Sequence, residues 1–224
     1  DMIGADGLIL HLNPLQEELQ EEGDTRFAGI LGRIKNICHG LKVPVIVKEV
    51  GYGISEDTAR RLAEAGVAGI DVAGAGGTAW SEMERYRANS HRAGSIAAAF
   101  RSWGTPTAET IQMARKGATS QLVVASGGIR SGVDVAKSIA LGADVAGMAM
   151  PLLTAADDSA EAAIALLQQV IEELRISMFC VGASNVDALK DSPFLRKKSA
   201  RCSGVRAGHP SGDGGSDGAR EWLV

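Results

Sequence analysis

The sequence predicts an α/β protein whose parallel strands belong to a (β/α)8 TIM barrel. Short β-branched and apolar runs are each followed by a helical pattern, which is typical of a parallel sheet buried on both faces. Polar residues follow the ends of four different runs, whereas the doubly wound alternative concentrates its chemistry at one switch point of the sheet. A complete barrel needs eight strands and about 250 residues. The five β/α units in this chain of 224 residues therefore predict a partial barrel.

The individual elements follow from hydrophobic periodicity and from helix start and stop residues. We expect strands over residues 5–13, 45–51, 68–74, 122–128 and 145–150. We expect helices over residues 27–41, 55–66, 106–117, 133–142 and 157–179. Ser55 caps the second of these helices and Gly66 ends it. The last helix carries a stripe that indicates a packing face, made of Ile164, Leu167, Ile171, Leu174 and Met178.

Composition and charge limit the kinds of partner. The chain has 23 Lys+Arg and 27 Asp+Glu, a net charge of −4, and no recurrent basic face, so we expect binding neither to nucleic acid nor to membranes. The longest apolar stretches are far shorter than the roughly 18 residues of a membrane span, and no secretory signal is visible, which predicts a cytoplasmic protein. The three cysteines are widely separated, which indicates structural thiols. We expect a partial barrel domain over residues 1–198 and a disordered Gly/Ser-rich tail over residues 199–224.

The run HLNPLQE places a group of polar residues at the end of the first strand. His11 and Asn13 are two residues apart, so both side chains lie on one face of the strand. Gln16 and Glu17 follow Pro14 in the predicted loop. Such a group suits an anion bound by His and Asn and a divalent cation bound by Glu, because Mg²⁺ is commonly held by one carboxylate together with substrate phosphates. The alternative is a loop whose polar side chains are simply solvated.

Lys48 and two glycine-rich loops mark the ends of later strands. Lys48 interrupts a buried strand and needs a carboxylate or a ligand nearby, so we favour contact with a cofactor over a salt bridge to another strand. Glu49 is an unlikely partner of Lys48 because adjacent residues of a strand face opposite sides. The loops GAGGT and ASGGIRSG, followed by the strand end MAMP, are typical of the phosphate site that barrels form after their last two strands. Glycines in such turns also have purely steric explanations.

Taken in order, these motifs resemble the FMN-dependent type 2 isopentenyl-diphosphate isomerases. The runs are HLNPLQE, VIVKEVGYG, IDVAGAGGTAW, WGTPTAET and VVASGGIRSGVDVAKSIALGAD, and the similarity covers about residues 5–189. Other FMN barrels, such as 2-hydroxy-acid oxidases, share the lysine strand and the glycine phosphate site but lack HLNPLQE. The resemblance implies a TIM barrel that interconverts isopentenyl and dimethylallyl diphosphates. It also implies reduced FMN as acid and base, Mg²⁺, and NADPH as the reductant of the flavin.

The resemblance assigns the substrate side of the site to the first motif. His11 and Asn13 correspond to residues that bind the substrate diphosphate. Gln16 corresponds to the catalytic glutamine, which binds substrate beside the isoprenyl carbons, and Glu17 corresponds to the Mg²⁺ ligand.

The resemblance assigns the cofactor side to the later motifs. Lys48 corresponds to the lysine at the edge of the flavin ring, and Thr78 to a threonine that contacts FMN. The residues that correspond to the holders of the FMN phosphate are Gly128, Ile129, Arg130, Ala149 and Met150.

The chain also departs from the family pattern. Ala73 stands where some members have a serine that contacts the flavin. The family's N-terminal half, with an Arg/Lys segment and early FMN-binding strands, has no counterpart in these residues. Two alternatives therefore stay open: an oxidoreductase of the 2-hydroxy-acid oxidase type, although its His/Arg pair after the lysine strand is missing, and an inactive truncated fragment. Unpaired strand edges lead us to expect a homo-oligomer.

Overall fold

A parallel sheet forms the centre of the computed structural model, which describes residues 3–190, 192–194, 196–197 and 222–223. Among these residues the sheet has five strands in the order β1-β2-β3-β4-β5, so each strand pairs with its neighbour in the chain. This is the order of consecutive β/α units in a barrel, and the predicted fold class of a partial TIM barrel is confirmed. The strands are β1 (Leu8–His11), β2 (Val45–Lys48), β3 (Gly69–Asp71), β4 (Leu122–Ala125) and β5 (Val145–Ala146).

Helices connect the strands and cover the outer face of the sheet. Those between β1 and β4 are α1 (Pro14–Leu19), α2 (Ile30–Gly40), α3 (Glu56–Glu64), α4 (Trp80–Arg87), α5 (His91–Ala99) and α6 (Thr107–Gly117). Those after β4 are α7 (Gly132–Ala140), α8 (Met150–Asp158), α9 (Ala160–Cys180) and α10 (Val186–Lys190). No helix in the described part of the chain is long and apolar enough to cross a membrane.

The core lies between the sheet and these helices. Val47, Ile70 and Val123, from three neighbouring strands, are fully buried in one cluster with Leu62 and Ile111 of the covering helices. The opposite, concave face is more open, and Ile9 of β1 is 60% exposed there. Within the described residues β1 pairs only with β2, and β5 only with β4. The sheet is therefore an arc with one packed face and two open edges.

Several predicted elements need correction. Residues 14–19, predicted as a loop, form α1, because Pro14 occupies the first turn of a helix, where its missing N–H costs nothing. The predicted helix 157–179 corresponds to α9 and begins later, because Ser159 leaves the helical conformation and caps α9 by accepting from the N–H of Ala162. Residues 157 and 158 instead end α8, and helices α4, α5, α8 and α10 were not predicted from the sequence at all. The predicted strands are each shortened to two to four residues, because their ends turn into loops.

The predicted packing face of the last helix is only half used. Leu174 and Met178 pack against the buried cluster of α7, but Ile164, Leu167 and Ile171 are each about half exposed.

The predicted tail lies mostly outside the described residues. A short strand, β6 (Arg196–Lys197), pairs antiparallel with β7 (Trp222–Leu223). Residues 198–221 and 224 are not described, so the domain boundary at residue 198 and the disorder of the tail stay predictions.

Candidate active site

A cavity of about 710 Å³ opens at the carboxyl ends of the parallel strands. Eight of the residues singled out in the sequence line it, although they come from five separate segments of the chain. They are His11, Lys48, Thr78, Gly128, Ile129, Arg130, Ala149 and Met150. We call this space the strand-end cavity. Its position agrees with the rule that barrel enzymes build their active sites at this face of the sheet.

Strand register aligns three polar side chains along one wall of the strand-end cavity. His11 is opposite Lys48, and Lys48 is opposite Asp71, on three adjacent parallel strands. Residues in register on parallel strands project from the same face of the sheet, so all three face the cavity. The Lys48 ammonium lies 3.2 Å from Oδ2 of Asp71. This is a salt bridge to another strand, the alternative to cofactor contact that the sequence analysis left open for Lys48.

The charge of Lys48 also acts on the neighbouring imidazole. The pKa of His11 lies below its ordinary value, first because burial disfavours the charged ring and second because Lys48 repels a second positive charge. The carboxylate of Glu17 opposes this shift. His11 is therefore biased toward the neutral form, in which one ring nitrogen donates and the other accepts.

Two glycine loops, which follow β3 and β4, also line the strand-end cavity and approach each other at very short range. Gly127 and Gly128 have φ angles of +101° and +86°, which strongly favour glycine. A Cβ on Gly128 would lie 2.0 Å from the carbonyl oxygen of Gly76, and one on Gly127 would lie 2.2 Å from that of Gly74. Backbone thus approaches backbone where the two loops meet, and their glycines present no side chain to the cavity.

The loop after β4 and the start of α8 meet at one end of the cavity. Arg130 donates from Nη1 to the carbonyl oxygen of Gly128 at 3.1 Å, so its guanidinium helps to fix the loop. Ala149, Met150 and Pro151 line the same end, where α8 begins. No side chain caps the N-terminus of α8. Free N–H groups and the positive end of the helix dipole make such a terminus suited to phosphate.

The other predicted residues form a separate group, which we call the α1–α4 cluster: Asn13, Gln16, Glu17 and Glu84. Nδ2 of Asn13 donates to Gln16 at 3.3 Å and to Glu17 at 3.0 Å. Nε2 of Gln16, which is 7% exposed, donates to Oε1 of Glu84 at 3.1 Å. None of the four lines the strand-end cavity, although the charge of Glu17 is close enough to act on His11. The sequence thus predicted three members of the cluster but missed Glu84, which lies on the unpredicted helix α4.

Glu17 is the one residue for which the sequence predicted a metal. Its carboxylate accepts from Asn13 and from the N–H of Asp24 at 2.8 Å, and no cationic side chain within the described ranges forms an ion pair with it. The described residues contain no group of three His, Cys, Asp or Glu side chains that could hold a metal ion. A cation at Glu17 would therefore need most of its ligands from phosphate and water, as Mg²⁺ accepts.

Glu49 is a second acidic residue that the sequence left without a role. Burial raises the pKa of this carboxyl to about 7, against the effect of the backbone N–H groups of Val50 and Tyr52, which donate to it. Val50 and Gly51 line the strand-end cavity, so Glu49 holds the loop that forms this part of the wall. The only sequence signal was an acidic residue next to Lys48 at a buried strand end.

Comparisons with known proteins agree with the motifs. The model of a family described as FMN-dependent dehydrogenase matches residues 16–197. Two relatives named isopentenyl-diphosphate delta-isomerase, from Synechococcus sp. and Nostoc sp., are 52% and 50% identical over 196 and 197 residues, respectively. Each alignment covers 88% of this chain and 56% of the relative. The chain therefore spans about half the length of the curated relatives it matches.

Solved structures support the fold. A mandelate oxidase with an FMN monooxide adduct aligns with a TM-score of 0.53 and 24% identity, covering 72% of this chain and 44% of the oxidase. Another mandelate oxidase structure aligns with a TM-score of 0.58 and 22% identity, covering 84% of this chain and 55% of the oxidase. At this identity the likeness shows the fold alone.

Proposed function

This chain belongs to the FMN-dependent dehydrogenase family, and we propose that it serves the isomerisation of isopentenyl diphosphate to dimethylallyl diphosphate. The observation that carries the proposal is the strand-end cavity, where His11 of the HLNPLQE run faces the same space as Lys48 and the glycine loops. About half of the residues are identical to those of relatives named as this isomerase. The oxidoreductase alternative has less support, because the mandelate oxidases share only the fold.

The described residues fit FMN as the cofactor. The lining of the cavity combines the Lys48 ammonium with glycine loops that carry no side chains, and a Cβ at Gly127 or Gly128 would collide with the facing loop. The phosphate end would be held by the backbone of Gly128, Ile129 and Arg130 and by Ala149 and Met150 at the start of α8, and Thr78, which also lines the cavity, would contact the cofactor. Reduced FMN, when bound, supplies the acid and base that move a proton on and off the alkene, and NADPH would reduce it.

Lys48 contributes a fixed positive charge at the wall of the cavity. A positive charge favours the electron-rich, reduced form of a flavin placed against it. Because Lys48 lies in a cavity wall with its side chain 34% exposed, it is partly shielded from water while its ammonium still faces the cavity. Its part in the reaction would therefore be electrostatic, with no transfer of its own proton.

The substrate diphosphate would lie toward β1. His11 offers an imidazole at the cavity, and Asn13, which lies beyond the end of β1 in the α1–α4 cluster, offers an amide beside the Glu17 carboxylate proposed for Mg²⁺. Mg²⁺ would offset part of the diphosphate charge and orient the substrate. Gln16 would contact the isoprenyl group, and its amide is held in one orientation because it accepts from Asn13 and donates to Glu84. The expected homo-oligomer remains part of this proposal.

An assay with the purified protein tests the proposal. Protein supplied with FMN, a reductant and MgCl₂ is expected to convert isopentenyl diphosphate to dimethylallyl diphosphate, and turnover should stop when the flavin is left oxidised. Oxidation of mandelate or another 2-hydroxy acid, without isomerisation, would favour the oxidoreductase. Bound flavin with neither reaction would contradict an enzymatic role for this chain.

A further inference from the structure

Asp71 lines the strand-end cavity and contacts both Lys48 and the residues that lead into the glycine loops. It is the last residue of β3, and its side chain is 16% exposed. Its Oδ2 faces the ammonium of Lys48 at 3.2 Å on β2. Its Oδ1 accepts from the hydroxyl of Ser126, just after β4, at 2.5 Å, and from the N–H of Ala73 at 3.3 Å. One carboxylate thus connects the ends of three neighbouring strands.

The contact with Asp71 offsets two energetic costs of placing Lys48 in the cavity. Lysine has a flexible four-carbon stem, and ordering it costs about 2 kcal/mol of rotamer entropy. A partly desolvated ammonium also needs a counter-charge. Asp71 supplies the counter-charge and fixes the direction of the stem, while Ser126 fixes the carboxylate from the other side.

The contact of Asp71 with Ala73 stabilises the turn that leads from β3 into the first glycine loop. Ala73 has a φ angle of +34° and is the single non-glycine residue with a positive φ in the part of the chain that the structure describes. The left-handed region costs an alanine about 1–2 kcal/mol. The bond from its N–H to Asp71 favours this turn, which leads directly into Gly74 and the GAGGT loop.

We infer that Asp71 is a positioning residue: with Ser126 it holds the Lys48 ammonium at the wall of the strand-end cavity. The part of this inference that concerns flavin rests on the proposed function, but the part that concerns Lys48 does not. Asp71→Asn separates the two contacts. Asparagine keeps one oxygen that can accept from Ser126 and Ala73, and it loses the oxygen that meets Lys48.

The first experiment needs no flavin. The rate at which a succinimidyl ester acylates each lysine is measured by peptide mass spectrometry in the wild type and in Asp71→Asn. We expect acylation of Lys48 to rise about tenfold, because losing a charge-assisted hydrogen bond worth about 1.4 kcal/mol frees the amine. Lys190, which lies 2.8 Å from Asp144, is the internal control and should not change. Ser126→Ala should give a smaller rise at Lys48, and an unchanged Lys48 rate in Asp71→Asn would overturn the inference.

The second experiment uses the sign of the effect on FMN affinity. Removing a negative charge beside an anionic ligand should by itself tighten binding, whereas losing the position of Lys48 should weaken it. We expect Asp71→Asn to weaken FMN binding in the wild type but not in a Lys48→Met background. Weakening by the same factor in both backgrounds would show a merely structural role and overturn the inference. If the wild type binds no FMN, the proposed function fails, while the acylation experiment still decides the role of Asp71.

Discussion

The strand-end cavity and the α1–α4 cluster are held in place by different means. The cavity depends on strand register and on the close approach of two backbone loops. Lys48 is aligned by its position on β2, and Gly128 lies so close to the carbonyl oxygen of Gly76 that there is no room for a Cβ. The cluster depends on side-chain hydrogen bonds between elements far apart in the chain, such as Gln16 and Glu84. The cavity should therefore respond to substitutions mainly through folding and flavin content. The cluster should respond mainly through turnover.

A substitution at Glu17 is expected to separate loss of turnover from loss of flavin most clearly. Glu17→Gln removes the carboxylate proposed to bind Mg²⁺ and should abolish Mg²⁺-dependent isomerisation, while flavin content stays the same because the metal meets the diphosphate and not the cofactor. Isomerase assay and flavin absorbance on the same samples measure both. Glu18→Gln, at the next and exposed position, is the matched control and should leave turnover as it is. Unchanged turnover in Glu17→Gln would remove this residue from the site.

Gly128→Ala should be the most damaging change to the cavity. The new Cβ would lie 2.0 Å from the oxygen of Gly76, in a conformation with φ of +86°. Overpacking and left-handed strain together predict a loss of about 3 kcal/mol or more in the free energy of unfolding, measured in urea. The control is Gly32→Ala in α2, where a Cβ meets nothing within 4 Å and a gain of about 0.5–1 kcal/mol is expected. Equal stability of the two variants would contradict the close approach of the loops.

Glu84→Gln should affect the cluster without affecting the cavity. The variant loses the charge that orients the Gln16 amide, and a hydrogen bond to a charged group contributes about 1.5–3 kcal/mol. We expect turnover to fall about 10- to 100-fold with no change in FMN affinity. Glu82→Gln is the control, because Glu82 lies on the same helix and is likewise paired with an arginine, Arg85, as Glu84 is with Arg87. A parallel loss of flavin would mean that Glu84 also supports the cavity, which Trp80 at the start of the same helix lines.

The smallest effect, and the only one tied to pH, is expected at Glu49. Its pKa of about 7 in the folded protein lies above the ordinary value of 4.5, so folding favours the protonated form. Stability from this group is therefore fully present below about pH 4.5 and is lost as the pH rises toward 7, by something on the order of 2 kcal/mol. Glu49→Gln should flatten this decline in urea denaturation between pH 4.5 and 8, whereas the exposed Glu22→Gln should not. The same slope in both variants would place the titration elsewhere.

The sequence predicted the cavity well for a physical reason. Strand positions follow from local hydrophobic patterns, and consecutive units of a parallel sheet pair in order, so residues at strand ends meet without any knowledge of side-chain contacts. This ordered pairing places His11, Lys48 and Asp71 side by side on three adjacent strands. The glycines at which the two loops meet are also visible in the sequence, as the runs GAGGT and ASGGIRSG.

The cluster was harder to predict. Its partner residue lies on α4, whose apolar residues Trp80, Met83 and Tyr86 recur at a spacing of three and do not continue into a longer helical stripe. Pro14 was the available signal for α1, since proline favours the first turn of a helix. A contact between residues 16 and 84 depends on how two short helices pack, and no local pattern reports that packing.

FMN is proposed to occupy the strand-end cavity, and the amide signals of the glycines that line it report on its position most directly. The protein labelled with ¹⁵N-glycine is titrated with FMN, and amide shifts are followed by NMR. We predict that the amide signals of Gly74, Gly77, Gly127, Gly128 and Gly147, which line the cavity, move on binding, while those of Gly32 and Gly40 of α2 stay in place. Saturable binding of FMN that leaves the signals of these five glycines unmoved would show that the flavin binds elsewhere.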